Sequence, residues 1–496
     1  MNRKKRGRLV AGIVAALALL LIALHEPIAR RTFRERPGSV AHPVSAEERA
    51  FLAPWRSLDR QPPVEMCVVP FMMTLSSDPG PISRIEVENT SDRFLPNVWF
   101  FREDMPNFYS APSIVESATR GLDSETEKAL ALLDLFRRYY ANAIPTDDGG
   151  LLNDPSTVFA VVGSAQCNNA VKVLETLCQL AGMETRKLGI SFEQEGRRIE
   201  HVAMEALADG EWIYLDPDGW CAYLRDDGAW ASAADLTREP ELVRRRGHAY
   251  YDAELLSRAF AQGKVTYLER HPDRFRMARR QTDPDAFPRF RHLMRYDLPP
   301  GARVAIEPRS RDGFYCRFPG TPPPPHYCSG VLTWSFAGAW PPDARDRNVL
   351  LPVTSPYLFV GAEVSGTPSD SARANVLFLP FLRSRDADEK GWQPLGALEP
   401  EGRLVFDDRF KSDPLFGFAL KVEPEDDAEV ALTVSAQIQC AAKALPHLAR
   451  GENRFVLYAE QPTAVRTTRV EPDRAEALFA NGLRIAFVFD QAPVTR

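Results

Sequence analysis

Three residues between positions 167 and 216 have the side-chain chemistry of an acyl-transfer site: Cys167, His201 and Asp216. A cysteine becomes a strong nucleophile when its thiol loses a proton, which requires a nearby base and surroundings that favour the thiolate. A histidine can act as that base, and a carboxylate can orient the imidazole ring. The sequence therefore raises the hypothesis of a Cys–His–Asp site, provided that the fold brings the three side chains together.

Cys167 is predicted to begin a helix. Apolar residues recur at helical spacing from Cys167 to about Leu180, and Gly182 follows as a left-handed cap. The preceding segment 163–165 consists of small residues that allow close approach of backbone and substrate. Because the N-terminal end of a helix carries partial positive charge, the first turn favours a thiolate at position 167.

His201 and Asp216 are predicted to lie on the two strands of one hairpin. The dipeptide Asp209-Gly210 is a strong turn signal between two segments of strand character. A two-residue turn at this dipeptide pairs Ala203 with Asp216, which places His201 diagonally opposite Asp216 on the same face. The hairpin therefore offers an imidazole with a carboxylate beside it.

The hairpin leaves alternatives open. A slip of one residue in the strand pairing would move His201 and Asp216 to opposite faces. Asp218 would lie directly opposite His201 if the ladder continued. Pro217 has no N–H to donate to that ladder, so Asp216 is the preferred partner. An ordinary structural interpretation is also open from spacing alone, with Cys167 as a buried helix residue and the other two in a strand and a turn.

The segment from about Leu122 to Trp220 resembles the transglutaminase-like superfamily, a branch of the papain-like cysteine enzymes. Its similar features occur in the family's order: an amphipathic helix in LDSETEKALALLDLFRRYYANA, a G-x-x-x-C start of a long helix, the segment AGMETRKLGI, an H-x-x-x-E strand and a W-x-x-x-D-P strand. The resemblance implies that Cys167 is the nucleophile, His201 the general base and then acid, and Asp216 the residue that orients the imidazole. It also implies a helix packed on an antiparallel sheet.

The sequence departs from the family's pattern beside the cysteine and the histidine. The family often has an aromatic residue at each place, where this chain has Asn168 and Ala203. An oxyanion hole would use the Cys167 N–H and a second donor, for which Gln166 and Asn168 are candidates. Either one is also an ordinary polar residue for a helix start. Glu205, on the His201 face, is a candidate pocket residue or an ordinary carboxylate.

The whole chain has the composition of a globular α+β protein. With 496 residues it is too long for a single ordinary core, and it is 44% hydrophobic and 26% charged. Its formal net charge of -6 is not typical of a nucleic-acid-binding protein. The patterns along the chain predict a signal anchor in 1–36, a small β domain in 37–115 and a β-sandwich in 301–496. The resemblance implies a transglutaminase-like domain in 116–300, with an Arg-rich C-terminal extension.

The N-terminal segment has the pattern of a membrane-targeting sequence. Five basic side chains in MNRKKRGR precede the uncharged run from Leu9 to Leu24. The flank HEPIARR has no A-x-A-like cleavage site, which favours an uncleaved transmembrane anchor over a removed signal peptide. We therefore expect a single-pass membrane protein whose body is exported to a periplasmic or extracellular space.

Seven cysteines are an odd number for a chain in a compartment where disulfides form. Cys316 and Cys328 flank a proline-rich turn and are the best candidates for a bridge, although two unbridged thiols are an equal alternative. His326 and Cys328 have no further ligands at a zinc-type spacing, so no metal site and no cofactor are predicted.

Residues 237–300 form a locally basic stretch, with fourteen Lys and Arg against nine Asp and Glu. The ordinary interpretation is a solvated helical surface, and the functional one is a site for an anionic polymer or lipid headgroups. Together with the N-terminal segment, the resemblance implies a membrane-anchored cysteine enzyme that performs acyl transfer on peptide or glutamine amides, as a protease or amidase rather than a cross-linking enzyme. The alternative is a catalytically idle scaffold whose β domains bind a protein or polysaccharide partner.

Overall fold

The computed structural model describes residues 43–55, 65–143, 150–268, 292–316, 322–337, 349–368, 373–381, 391–399, 401–411, 415–424 and 430–490. The predicted anchor, Leu9 to Leu24, lies outside these residues. Within the described ranges, every helix is too short or too polar to cross a bilayer.

The helices are short and mostly lie in the central part of the chain. They are α1 Ala46–Leu52, α2 Ala111–Ala118, α3 Glu125–Tyr139, α4 Cys167–Leu180, α5 Ala233–Arg238, α6 Glu241–Arg246 and α7 Ala253–Ala261, with a π-helix at Thr157–Val162 and 3-10 turns at Ala53–Trp55, Gly150–Asn153, Asp407–Phe410 and Ala442–Ala444. Helix α4 has the predicted bounds. Gly182, just beyond its end, has φ of +93°, as expected for a left-handed cap.

Strands dominate the rest of the described chain, so the class is α+β with a majority of sheet. They are β1 Cys67–Leu75, β2 Ile82–Asn89, β3 Leu95–Arg102, β4 Ala141–Asn142, β5 Ser164–Ala165, β6 Glu184–Gln194, β7 Arg197–Ala208, β8 Glu211–Leu215, β9 Val265–Tyr267, β10 Tyr296–Leu298, β11 Arg303–Glu307, β12 Tyr327–Ala337, β13 Val349–Pro368, β14 Ala374–Pro380, β15 Gln393–Leu398, β16 Gly402–Val405, β17 Leu415–Pro424, β18 Val430–Ala441, β19 Gly451–Ala459, β20 Val465–Glu471, β21 Arg474–Phe479 and β22 Leu483–Phe489.

Two antiparallel sheets combine strands from both ends of the chain. The large sheet has the order β15-β14-β17-β13-β18-β12-β11-β2-β22-β21-β20, with β16 beside β13, and the small sheet has the order β1-β19-β3-β10. They pack face to face, with Phe71 against Phe479 and Phe100 against Phe487. Within the described residues, β1, β2 and β3 pair with later strands and not with one another.

This pairing corrects the expectation of a separate small β domain in 37–115. Strand β2 fills the place between β11 and β22, and β3 lies between β19 and β10. The backbone N–H and C=O groups of these N-terminal strands are paired with strands from the C-terminal part of the chain. The N-terminal strands therefore belong to the same sheets as the predicted sandwich. Strand alternation in the sequence shows that a strand forms, but not which strand it pairs with.

A third sheet, the central sheet, has the order β8-β7-β6-β9 and carries the predicted hairpin. Leu207 pairs with Trp212 and Glu205 with Tyr214, which is the predicted register. Asp209 and Gly210 form the turn, both with positive φ, as a tight two-residue hairpin requires. Helix α4 packs against β7 and β6, and the short helices α5 to α7 cover the face that carries Ala203.

The cysteine pair in the large sheet differs from the prediction. Cys328 on β12 is directly opposite Cys440 on β18, and their sulfur atoms are 3.2 Å apart. Both residues are buried. Cys328 and Cys440 are both free cysteines, which agrees with the alternative of unbridged thiols. The neighbour of Cys328 is Cys440, because strand pairing over a long sequence separation brings these two together.

Candidate active site

Cys167 is held at the first position of α4 by the loop before it. Gly163, with φ of +71°, ends the π-helix, and the next two residues form β5, which pairs in parallel with β4. This short ladder ties the approach to Cys167 to residues 141–142 at the end of α3. The N–H groups in the first turn of a helix have no intrahelical partner, so the backbone around a half-buried Cys167 presents free donors.

His201 and Asp216 form the closest polar contact of the site. His201 Nε2 lies 2.6 Å from Asp216 Oδ2, and both side chains are 0% exposed. Because a carboxylate accepts, Nε2 carries the proton and donates it to Asp216. The other ring nitrogen, Nδ1, is buried and has no hydrogen-bond partner among the described residues.

Cys167 lies close to His201 and Asp218. The Cys167 sulfur, a His201 ring nitrogen and an Asp218 carboxylate oxygen are all within 4.8 Å of one another. His201 Nδ1 is 4.0 Å from Asp218 Oδ2, which identifies it as the nitrogen that faces this group. Burial alone lowers the pKa of His201, but the Asp216 carboxylate and then the Cys167 sulfur outweigh burial and raise it to about 10.

Both carboxylate oxygens of Asp216 accept several hydrogen bonds. Its Oδ1 accepts from the backbone N–H groups of Asp218, at 3.1 Å, and Gly219, at 3.0 Å. Its Oδ2 accepts from the Tyr214 hydroxyl at 3.1 Å, in addition to His201. Burial opposes its ionisation, but the contacts with His201 and with a second histidine hold the pKa of Asp216 well below its ordinary range. Asp216 is therefore a permanent anion at neutral pH.

The second histidine is His248, which the sequence analysis did not identify. Its Nε2 lies 3.1 Å from Asp216 Oδ2, and its Nδ1 accepts the backbone N–H groups of Tyr250 and Tyr251. Because Nδ1 accepts these two N–H groups, the ring proton is on Nε2, which donates to Asp216. The Tyr251 ring contacts the rings of both His201 and His248, at centroid distances of 4.7 and 5.2 Å.

A sequence signal for this contact exists at Gly219. A Cβ atom added at Gly219 would lie 2.1 Å from His248 Nε2, so only glycine leaves room for the ring. The glycine after the D-P-D segment is visible in the sequence, but it does not show which side chain fills the space. His248 lies in the basic stretch, and its neighbours Arg244 and Arg245 form surface ion pairs with Glu254 and Asp226.

Asp218 occupies the other end of the imidazole. Its Oδ1 accepts from the Tyr140 hydroxyl at 2.8 Å, and its Oδ2 accepts from Asn142 Nδ2 at 2.7 Å. Burial, followed by the charge of Asp216, raises the pKa of Asp218 to about 6. The two carboxylates considered in the sequence analysis thus both face His201, one at each ring nitrogen.

The remaining candidates have different surroundings. Gln166 is the exposed residue that precedes α4, and its side chain makes no capping hydrogen bond among the described residues. Asn168, the second residue of α4, is also exposed. Glu205 is fully buried, contacts Arg186 at 2.5 Å and accepts the backbone N–H of Ala233 at 2.7 Å. Its carboxylate therefore serves an internal ion pair and the start of α5.

Comparisons with known proteins assign no family. No protein-family model and no curated protein matches the chain. Among solved structures, a capsid protein in T=1 particles derived from infectious bursal virus aligns with 10% identity and a TM-score of 0.16, over 41% of this chain and 53% of the capsid chain. An oxalate decarboxylase variant from Bacillus subtilis aligns with 10% identity and a TM-score of 0.12, over 54% of this chain and 63% of that chain. The chain spans about half the length of the capsid protein, and TM-scores this low do not indicate a shared fold.

Proposed function

We propose that the chain is a transglutaminase-like cysteine enzyme that transfers acyl groups from peptide or glutamine amides through Cys167, His201 and Asp216. The observation that carries this proposal is the division of the two His201 nitrogens, with Nε2 bound to Asp216 and a free Nδ1 facing the Cys167 group. A base needs one free nitrogen toward its nucleophile, and an orienting carboxylate on the other nitrogen selects that tautomer.

The reaction would proceed in two steps. Transfer of the thiol proton to Nδ1 gives a thiolate and an imidazolium, the charged form of His201 that its raised pKa favours. The Cys167 thiolate then attacks the amide carbonyl carbon to give a tetrahedral oxyanion. Free N–H groups in the first turn of α4 are positioned to donate to that oxyanion. His201 then protonates the departing amine and leaves a thioester on Cys167. Water attack, assisted by the neutral imidazole, releases the acid, and attack by a lysine amine would instead give a cross-link.

Hydrolysis is the proposed outcome, and the substrate is a protein or peptide. The uncharged Leu9 to Leu24 segment would hold this enzyme at a membrane with its body exported. Incubation with a glutamine-containing peptide and a primary amine separates the outcomes, because hydrolysis yields the acid and transfer yields the amine adduct. Dominant amine adduct would overturn the hydrolytic assignment and leave acyl transfer intact.

Thiol alkylation tests the proposed site without knowledge of the substrate. Near neutral pH, iodoacetamide should modify Cys167 faster than Cys67, which is also partly exposed and serves as the internal reference. His201→Ala should slow alkylation at Cys167 by tenfold or more. The matched control His447→Ala, which removes an exposed histidine, should have no effect. A Cys167 rate that is indifferent to His201→Ala would exclude the enzyme and favour the scaffold.

A further inference from the structure

The site contains three different metal-ligating atoms in one small volume. Cys167 offers sulfur, His201 a ring nitrogen and Asp218 a carboxylate oxygen, all within 4.8 Å of one another. Zinc accepts these three donor types, and sites with three protein ligands keep a fourth position for water. The sequence did not predict this group, because the three residues are not spaced as a zinc motif.

The surroundings of these atoms match what a metal site requires. A ligating histidine ordinarily donates its second ring N–H to a carboxylate, and ligating carboxylates are themselves hydrogen-bonded. Here His201 Nε2 donates to Asp216, while Tyr140 and Asn142 donate to Asp218. The nitrogen left over, Nδ1, is buried without a hydrogen-bond partner among the described residues and lies toward Asp218.

The distances allow a metal after a small contraction. Tetrahedral zinc with bonds of about 2.0 to 2.3 Å holds its ligand atoms roughly 3.3 to 3.8 Å apart. The Nδ1 to Asp218 Oδ2 distance is 4.0 Å, and no pair in the group exceeds 4.8 Å. Side-chain rotation of up to about 1 Å at Cys167 and Asp218 would therefore complete the geometry. Because Cys167 is only half-buried, solvent can supply the fourth ligand.

A second group, His201, Asp216 and His248, also lies within 4.8 Å, but it is less suited to a metal. In this second group, His201 Nε2 and His248 Nε2 already donate hydrogen bonds to the Asp216 carboxylate, and His248 Nδ1 accepts two backbone N–H groups. A cation there would have to break these hydrogen bonds. In the Cys167 group, by contrast, His201 Nδ1 makes no hydrogen bond among the described residues that a cation would have to break.

We propose that Cys167, His201 Nδ1 and Asp218 bind a thiophilic divalent cation of the zinc type, with water as the fourth ligand. On binding, the sulfur coordinates as thiolate. His201 binds through a deprotonated Nδ1, and the protons that the thiol and the imidazole give up are released to solvent. The bound cation occupies both the sulfur and the nitrogen, and the loaded site is inert to alkylation. Binding itself does not depend on the proposed acyl transfer.

The test uses the full chain, freed of metal by a chelator and titrated with Co²⁺ and then with Zn²⁺. Co²⁺ should bind one per chain with a sulfur-to-metal charge-transfer band, and Zn²⁺ should abolish the band and slow Cys167 alkylation in proportion to occupancy. Cys167→Ser should remove the band. Asp218→Asn should weaken binding at least tenfold, and Asp216→Asn by about 10 to 100-fold through the histidine it orients. The matched control Asp227→Asn, at an exposed carboxylate, should bind as the wild type does.

The outcomes separate this proposal from the catalytic one. Absence of stoichiometric Co²⁺ binding, or binding that survives both Cys167→Ser and Asp218→Asn, overturns the metal site. If His201→Ala still slows alkylation of metal-free Cys167 in that case, the catalytic proposal stands. If the chain binds the metal but alkylation of Cys167 is unchanged by His201→Ala, the metal site stands and the catalytic proposal is overturned. Near-ultraviolet circular dichroism of each variant shows whether it is folded, and chelator-reversible protection of wild-type Cys167 gives a measurement that needs no variant.

Discussion

The contact between Gly219 and His248 gives a sharp prediction about the support of Asp216. Gly219 is not among the residues with positive φ, so its backbone conformation is open to any residue. The obstacle to a side chain is the His248 ring, with Nε2, Cε1 and Cδ2 at 2.1, 2.5 and 2.6 Å from the Cβ position. Gly219→Ala therefore acts on His248 without changing that residue.

The size of the effect follows from these distances. To restore an ordinary contact of 3.4 Å, the ring must move by about 1.3 Å, which breaks its 3.1 Å hydrogen bond to the buried Asp216 if the movement is directed away from the turn. Loss of a hydrogen bond to a charged group costs about 1.5 to 3 kcal/mol, and overpacking costs about 1 to 3 kcal/mol. We expect Gly219→Ala to lower the free energy of unfolding by about 3 kcal/mol.

The same change should alter His201. Because His248 donates to the oxygen that also binds His201, its removal leaves more negative charge on Asp216 for the imidazolium. The pKa of His201 should therefore rise. Histidine-labelled NMR measures that titration, with His201→Ala identifying the signal, and urea unfolding measures stability. His248→Gln keeps an N–H donor and should preserve the pKa of His201 better than His248→Ala does.

A matched glycine control separates the ring contact from the generic cost of a methyl group. Gly228 has φ of +88° and open space around its Cβ position. Gly228→Ala should cost about 1 to 2 kcal/mol through its backbone conformation alone and leave the His201 titration unchanged. If Gly219→Ala has wild-type stability and a wild-type His201 titration, the proposed support of Asp216 by His248 is refuted.

Two further predictions concern pH and the Glu205 ion pair. The pKa of His201 is raised from 6.5 to about 10, so its contribution to stability is complete below about pH 6.5 and is lost as the pH rises through about 10. Urea midpoints of the wild type should therefore fall across this pH window, and those of His201→Ala should change less. Equal pH dependence of the two proteins would contradict the assignment. Glu205→Ala should destabilise the fold by about 3 kcal/mol, because it leaves Arg186, whose side chain is 26% exposed, without its carboxylate partner. Glu200→Ala removes a carboxylate that is 66% exposed in a surface ion pair, and it should cost less than about 1 kcal/mol. Similar losses from both would show that burial of Glu205 is not decisive.

Local signals in the sequence were sufficient for the elements that carry the proposed triad. The amphipathic period and Gly182 predict the bounds of α4, and Asp209-Gly210 predicts the hairpin register, because both depend on neighbours within a few residues. The register then brings His201 to Asp216. Cys167 reaches the same group because β5, two residues before it, is tied to β4.

Long-range pairing was beyond the same reasoning. Nothing in the alternation of β2 indicates that its neighbours are β11 and β22, which follow it by more than 200 and by about 400 residues. Cys328 and Cys440 meet for the same reason, through the pairing of β12 with β18. His248 was not predicted as a site residue, because the arginines that precede it indicated a solvated surface. These contacts depend on how sheets and helices assemble, which composition and periodicity do not encode.

Asp216 and Asp218, the two carboxylates beside His201, have different surroundings. Five donors converge on Asp216, two from the backbone and three from side chains, so its charge is fixed and its oxygens are directed. Asp218 has two side-chain donors and a pKa raised to about 6, so its charge changes close to neutral pH. Neighbouring groups whose pKa values are displaced in opposite directions have different chemical roles. Asp216 is suited to orient the imidazole because its charge is fixed. The charge of Asp218 can change with the proton or cation that is bound at His201 Nδ1 and Cys167.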